Sequence, residues 1–97
     1  MEDPVVEMIR RGAKIVDVRS REEFEDERYP GAINIPVNEL PRRLAEMGPR
    51  DGEYVLYCAS GSRSAFAARA LALAGYRKVL NAGGLADMPV PVQATAR

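Results

Sequence analysis

A short apolar run gives way abruptly to small polar residues and then to an alanine-rich repeat near the middle of the chain. Glu53 to Tyr57 (Glu-Tyr-Val-Leu-Tyr) is rich in β-formers and predicts a buried strand. From Ala65 to Ala74 the period changes, and Ala, Leu and Phe predict a helix that Gly75 stops. Between the two lies Cys58-Ala-Ser-Gly-Ser-Arg-Ser64, a run that reads as a tight strand-to-helix loop.

The same alternation runs through the rest of the sequence. Asp3 and Pro4 predict the start of a first helix, with Val5, Met8 and Ile9 on one buried stripe and Gly12 at its end. Residues 13–18 predict a compact strand with Asp17 near its carboxyl end. Ser20 and Glu23 match a capping box that opens a short acidic helix, anchored by Phe24. Glu22, Glu23, Glu25, Asp26 and Glu27 read most simply as its solvated face. Tyr29-Pro-Gly31 predicts a turn, and Ala32 to Ile35 a strand stopped by Pro36. Asn38 is positioned to cap a further helix carrying Val37, Leu40, Leu44 and Met47 at helical spacing, closed by Gly48-Pro49. Lys78 to Asn81 predicts a last strand, and Asn81-Ala-Gly-Gly84 a second turn. Residues 88–97 are punctuated by proline and are expected to pack loosely.

Strands alternating with helices imply an α/β fold with an open parallel sheet and helices on both faces. Ligands of such sheets bind beyond the carboxyl ends of the strands, where Asp17, Cys58 and the segment from Asn81 to Gly84 all fall. A chain of 97 residues is expected to form one domain, 1–97. With 14 basic and 14 acidic residues there is no global field to attract nucleic acid or an anionic membrane, so anion recognition must be local. No apolar stretch reaches the length of a membrane span, and the acidic start, Met-Glu-Asp-Pro, is unlike a secretory signal. The sequence as written is expected to be cytoplasmic, or periplasmic if a signal was removed, and monomeric.

Composition narrows the chemistry further. Histidine is absent and cysteine occurs once. Imidazole-based catalysis, an internal disulfide and a self-sufficient zinc site all drop out, and neither a metal nor a cofactor is expected. If Cys58 is a nucleophile, its thiolate must be made electrostatically. A thiol facing inward-turned amides at a helix N-terminus has that property. Gly61 lets the turn close, Ser60, Ser62 and Ser64 add hydroxyl donors at the rim, and Arg63 offers a planar fork suited to an oxyanion. An arginine in the first turn of a helix is opposed by the dipole, which suggests that an anion is expected there. The competing reading is a structural cysteine buried as a small hydrophobe, but a strand end before Ser-Gly-Ser-Arg-Ser suits an exposed site better. Phosphatase loops place five residues between Cys and Arg. Here there are four, Ala59 to Ser62, which favours a guest sulfur atom over a phosphate.

Set in order, Ile15-Val-Asp-Val-Arg19, Glu22-Glu-Phe24, Pro30-Gly-Ala-Ile-Asn-Ile-Pro36, Tyr54-Val-Leu-Tyr-Cys58, the loop to Arg63, Leu73-Ala-Gly-Tyr76 and Val79-Leu-Asn-Ala-Gly-Gly84 resemble the single-domain rhodaneses. The resemblance is greatest to the small phage-shock-protein-E type. It implies a rhodanese-like fold of about four strands and thiosulfate sulfurtransferase activity. In that likeness Cys58 forms a persulfide, Ala59, Ser60, Gly61, Ser62, Arg63 and Ser64 bind substrate, and Arg63 faces the sulfonate of the donor. Asp17 and Arg19 resemble the family's Asp-x-Arg element, Asp17 as a structural acceptor and Arg19 as an ion-pair partner for the helix that follows. The implied donor is thiosulfate, and the acceptor is cyanide, a small thiol or a partner protein. Two other readings stay open: a persulfide relay or redox-sensing domain serving a partner, and a small cysteine phosphatase or arsenate reductase.

Overall fold

The computed structural model describes residues 3–91. Four parallel strands form one open sheet in the order β2-β1-β3-β4, with β1 at Lys14–Asp17, β2 at Ile33–Asn34, β3 at Glu53–Cys58 and β4 at Lys78–Gly84. Helix α1 (Pro4–Arg10) precedes β1, α2 (Arg21–Asp26) joins β1 to β2, and α3 (Ser62–Leu73) joins β3 to β4. 3-10 helices occupy Leu40–Glu46 and Leu85–Asp87.

Residues alternate between the faces of β1 and β3, and each face carries its own apolar cluster. On one face Val16, Val18, Tyr54, Leu56 and Cys58 pack with Leu40, Met47, Ala67, Leu71 and Tyr76. That face is covered by α3 and the longer 3-10 helix. On the other, Ile15 and Tyr57 pack with Tyr29, and with Ile9 of α1, Ala82, Leu85 and Met88. Helices thus cover both faces, and the α/β architecture expected from the alternation is present. Burial is deepest in the middle strand: Val55, Leu56, Tyr57 and Cys58 are fully buried.

The capping signals act where they were expected at the amino end. Asp3 Oδ1 accepts from the Val5 amide at 2.8 Å, and Ser20 and Glu23 close a reciprocal capping box. Three local expectations are corrected. Asn38 caps nothing: the segment after it is a 3-10 helix whose N-cap is Glu39, and Arg43 leaves helical geometry inside it. α2 buries none of its residues fully, so Phe24 is only half-buried and lies under the Arg28 guanidinium instead of anchoring the helix. Asn81 to Gly84 is not a turn but the carboxyl half of β4, held against β3 across a shift in register between Leu56 and Cys58. The loosely packed tail expected over 88–97 lies outside the described residues from 92 onward. Within it, Met88 packs against the second cluster.

Candidate active site

β3 delivers Cys58 to the carboxyl edge of the sheet, and the chain reverses at once into α3. The reversal depends on two glycines. Gly61 adopts a φ of +102°, which side chains other than hydrogen rarely tolerate, and a Cβ there would lie 3.3 Å from Gly83 Cα. Gly84 has ordinary extended geometry, but a Cβ on it would come within 2.3 Å of the Ala59 carbonyl oxygen. β4 therefore runs directly against the loop. The helix opens at Ser62, three residues before the alanine run, so Arg63 and Ser64 belong to its first turn.

The loop closes on the sulfur itself. Cys58 Sγ accepts from the Gly61 amide at 2.9 Å, and from the Ser64 amide and hydroxyl at 3.4 Å each. Burial pushes the thiol pKa up. Hydrogen bonds from the Ser64 hydroxyl and from the Ser64, Gly61 and Ser60 amides outweigh it and bring the pKa down to about 7. A substantial share of the sulfur is therefore thiolate at neutral pH. The expectation of an exposed thiol is corrected: Cys58 is fully buried, at the base of the loop and against the first apolar cluster. Its donors set it apart from an inert core cysteine, because amides and a hydroxyl converge on it.

The serines divide. Ser60 and Ser62 are exposed at the rim, whereas Ser64 is buried beneath it. The Ser64 hydroxyl lies 2.6 Å from Asn81 Oδ1, which also accepts from the Gly83 amide at 2.9 Å. Asn81 Nδ2 donates to the Gly61 carbonyl at 3.3 Å. Asn81 thus ties the helix end of the loop to β4. The sequence placed it at this edge without giving it a role.

Arg63 does not point a free fork into the loop. Its Nη1 and Nη2 donate to Glu23 Oε1 and Oε2 at 2.8 and 3.1 Å, so the anion that answers this arginine is a side chain of α2. Glu23 departs from the solvated acidic face, while Glu22, Glu25, Asp26 and Glu27 are exposed as expected. The Arg63 guanidinium, helped by the Ser20 amide, holds the Glu23 carboxyl down to about 2.

Asp17 and Arg19 form a buried pair. Arg19 Nε donates to Asp17 Oδ1 and Oδ2 at 3.0 and 3.1 Å, and Nη2 to Oδ2 at 2.7 Å. Nη2 also donates to the Glu27 carbonyl at the end of α2. The tie to the following helix is therefore made to its backbone, and the ion pair itself to Asp17. Tyr57, next to the cysteine and facing Asp17 across the strands, lies under the Arg19 guanidinium at 5.6 Å.

A cleft of about 530 Å³ opens beside Ala59, walled by Arg19, Arg28, Tyr29, Leu85 and Met88. Another, of about 520 Å³ between Arg21, Phe24, Asn34, Pro36 and Arg43, includes none of the loop residues. Among the described residues no group of His, Cys, Asp or Glu side chains is placed to hold a metal ion, and no helix is long and apolar enough to cross a membrane.

The profile of the Rhodanese-like domain matches residues 2–87. The chain belongs to the rhodanese family. It is 42% identical over 77 residues to the thiosulfate sulfurtransferase PspE of Escherichia coli, covering 78% of this chain and 74% of that one. A sulfurtransferase of Allochromatium vinosum is 39% identical over 70 residues, which span 72% of this chain and 64% of the relative. Among solved structures, a rhodanese with anions from E. coli superposes with a TM-score of 0.77 at 37% identity, over 82% of this chain and 95% of that one. The human single-domain sulfurtransferase TSTD1 superposes with a TM-score of 0.72 at 31% identity, over 82% and 83%. PspE, the A. vinosum protein and TSTD1 are each named as sulfurtransferases, and this rhodanese domain carries a single cysteine.

Proposed function

We propose that the protein is a sulfurtransferase that carries a sulfane sulfur on Cys58, with thiosulfate as a donor and cyanide or a thiol as acceptor. The observation that carries this reading is the convergence of the Gly61 amide, the Ser64 amide and the Ser64 hydroxyl on one buried sulfur whose pKa is brought down to about 7. In the first step the Cys58 thiolate attacks the outer sulfur of thiosulfate. The S–S bond breaks, its electron pair leaves with sulfite, and a persulfide remains on Cys58. In the second step an acceptor nucleophile attacks the outer persulfide sulfur, and the thiolate departs with the bonding pair. A thiol of low pKa is a good leaving group in this exchange. The amides that stabilise the thiolate are poised to do the same for the persulfide anion.

Because the sulfur is covered, a donor reaches it only as residues 59–62 yield, and the cleft beside Ala59 gives the acceptor room to approach. Phosphoryl transfer is disfavoured by the short loop, with four residues between Cys58 and Arg63 and the Gly61 amide already 2.9 Å from the sulfur. A relay role, in which a partner's persulfide loads Cys58, is favoured by one observation: the Arg63 fork that would greet a sulfonate is engaged by Glu23.

The test is intact-mass spectrometry after incubation with thiosulfate, followed by cyanide. The wild type is expected to gain one sulfur atom and to lose it to cyanide as thiocyanate, whereas Cys58→Ser does neither. A wild type that gains no sulfur from thiosulfate or from any organic persulfide sinks the reading.

A further inference from the structure

Two guanidinium groups stand beside the thiol loop, and each has its fork filled by a carboxylate of this chain. Arg19 is taken by Asp17 in the interior, and Arg63 by Glu23 at the surface of the site. Arg63 is near enough to the sulfur to feel its charge. Arg28, which lines the cleft beside Ala59 with Arg19, is turned back onto Phe24, donating to its carbonyl at 3.2 Å and stacking on its ring. The two forks and the two carboxylates cancel, and the thiolate adds a negative charge.

The Glu23 carboxylate is held in place rather than draped across the surface. Its Oε1 also accepts from the Ser20 amide at 2.9 Å, so the capping box of α2 fixes where it points. A bidentate carboxylate–guanidinium pair is the geometry that an incoming sulfonate would have to reproduce. A dianionic donor must displace that carboxylate or approach with it in place, next to a thiolate of the same sign. A donor of low charge faces neither obstacle.

Resting on the sulfur-transfer reading above, we propose that Glu23 is a specificity-determining residue, which by filling the fork of Arg63 disfavours thiosulfate and directs the site toward organic hydropersulfides, R–S–SH. The loading step balances without an added oxidant or reductant. The Cys58 thiolate attacks the outer sulfur of R–S–SH, the S–S bond breaks, and its electron pair leaves with RS⁻. The outer sulfur, with its proton, stays on Cys58. The donor class is thus set by charge, and thiosulfate is a handicapped substrate of the same site.

The experiment compares kcat/KM for dianionic thiosulfate with kcat/KM for an alkyl hydropersulfide whose alkyl group is uncharged, so that it carries at most one negative charge, in the wild type and in Glu23→Gln. Glutamine keeps the acceptor for the Ser20 amide but removes the charge. The thiosulfate-to-persulfide ratio should rise about tenfold, as expected when one nearby like charge is removed from a partly screened site, while the persulfide arm changes less than about twofold. Arg63→Gln leaves the capping box intact and exposes the Glu23 charge, so there the ratio should fall several-fold. A ratio that is the same in the wild type and both variants, with Cys58 still loading from both donors, overturns this proposal and leaves the sulfurtransferase reading standing. Failure of the wild type to load from either donor removes both.

Discussion

The Ser64 hydroxyl lies closer to Asn81 than to the sulfur it also faces, 2.6 Å from Asn81 Oδ1 against 3.4 Å from Cys58 Sγ. A hydroxyl has one proton to donate, so Asn81 and the thiolate compete for it. The same asparagine accepts from Gly83 and donates to Gly61, so the competition takes place within a frame that holds the loop to β4. How readily the thiol ionises is set partly by a residue that never touches the sulfur.

Removing that hydroxyl should make the thiol harder to ionise. In Ser64→Ala the sulfur keeps the Gly61 and Ser64 amides but loses its side-chain donor. The pKa of Cys58 is expected to rise from about 7 toward the ordinary thiol value near 8.5. Thiolate absorbance followed against pH reads this directly. A titration that coincides with the wild type would show that the amides alone set the ionisation.

The thiol also ties stability to pH. Its folded pKa of about 7 lies below the unfolded value near 8.5, so the folded state releases its proton first as pH rises. The stabilisation is complete above about pH 8.5 and is lost as pH falls through 7, amounting to about 2 kcal/mol for a group this buried. Cys58→Ser has no such dependence at this position. The difference in unfolding free energy between wild type and Cys58→Ser, measured in urea at pH 6 and pH 9, should grow by about that amount toward the higher pH. A difference that is flat across the range removes the linkage.

The interior pair makes a separate demand. Arg19 is 6% exposed and Asp17 is fully buried, and three N–H···O contacts join their side chains. Asp17→Ala leaves the guanidinium buried against Tyr57 with only the Glu27 carbonyl for a partner. Breaking one side of a buried pair costs about 3–5 kcal/mol, a large share of the 5–15 kcal/mol that holds a domain together. The urea midpoint should fall accordingly, and a loss under about 1 kcal/mol would mean that the arginine finds water.

What was legible in the sequence was the part encoded locally. The compact run at 13–18, the β-former-rich run at 53–57, the Ser20–Glu23 box and the glycine after α3 each act within a few residues, and the elements they announce are present. The loop around Cys58 was legible too, because a strand end, a glycine and a helix start fix it over a short span. What was not legible was set by pairing across the fold. Glu23 and Arg63 lie 40 positions apart and meet only because α2 is brought beside the loop. Asn81 read as part of a turn because Gly83 and Gly84 follow it, yet parallel pairing with β3 stretches the segment into strand. The depth of the thiol was hidden for a similar reason, since α3 begins at Ser62 and closes over the sulfur sooner than the alanine run suggests.

Gly84 tests whether close approach, and not flexibility, is what the loop requires of its neighbour. Its φ of −94° is open to any residue, so Gly84→Ala introduces no backbone strain. The added methyl would meet Ala59 oxygen at 2.3 Å and Ala59 carbon at 3.0 Å, backbone atoms that cannot swing away as a side chain can. The loop has to lift, and lifting it draws the Gly61 and Ser64 amides off the sulfur. Gly12→Ala is the contrasting case, with a φ of +92° and nothing within 4 Å of the new methyl. There the cost is about 1–2 kcal/mol of left-handed backbone, paid far from the thiol. Gly12→Ala should therefore lower the melting temperature and leave the Cys58 titration near pH 7, while Gly84→Ala raises the thiol pKa and slows persulfide loading in the surviving folded protein. If the two variants behave alike in the thiol titration, contact between β4 and Ala59 is not what holds the amides on the sulfur.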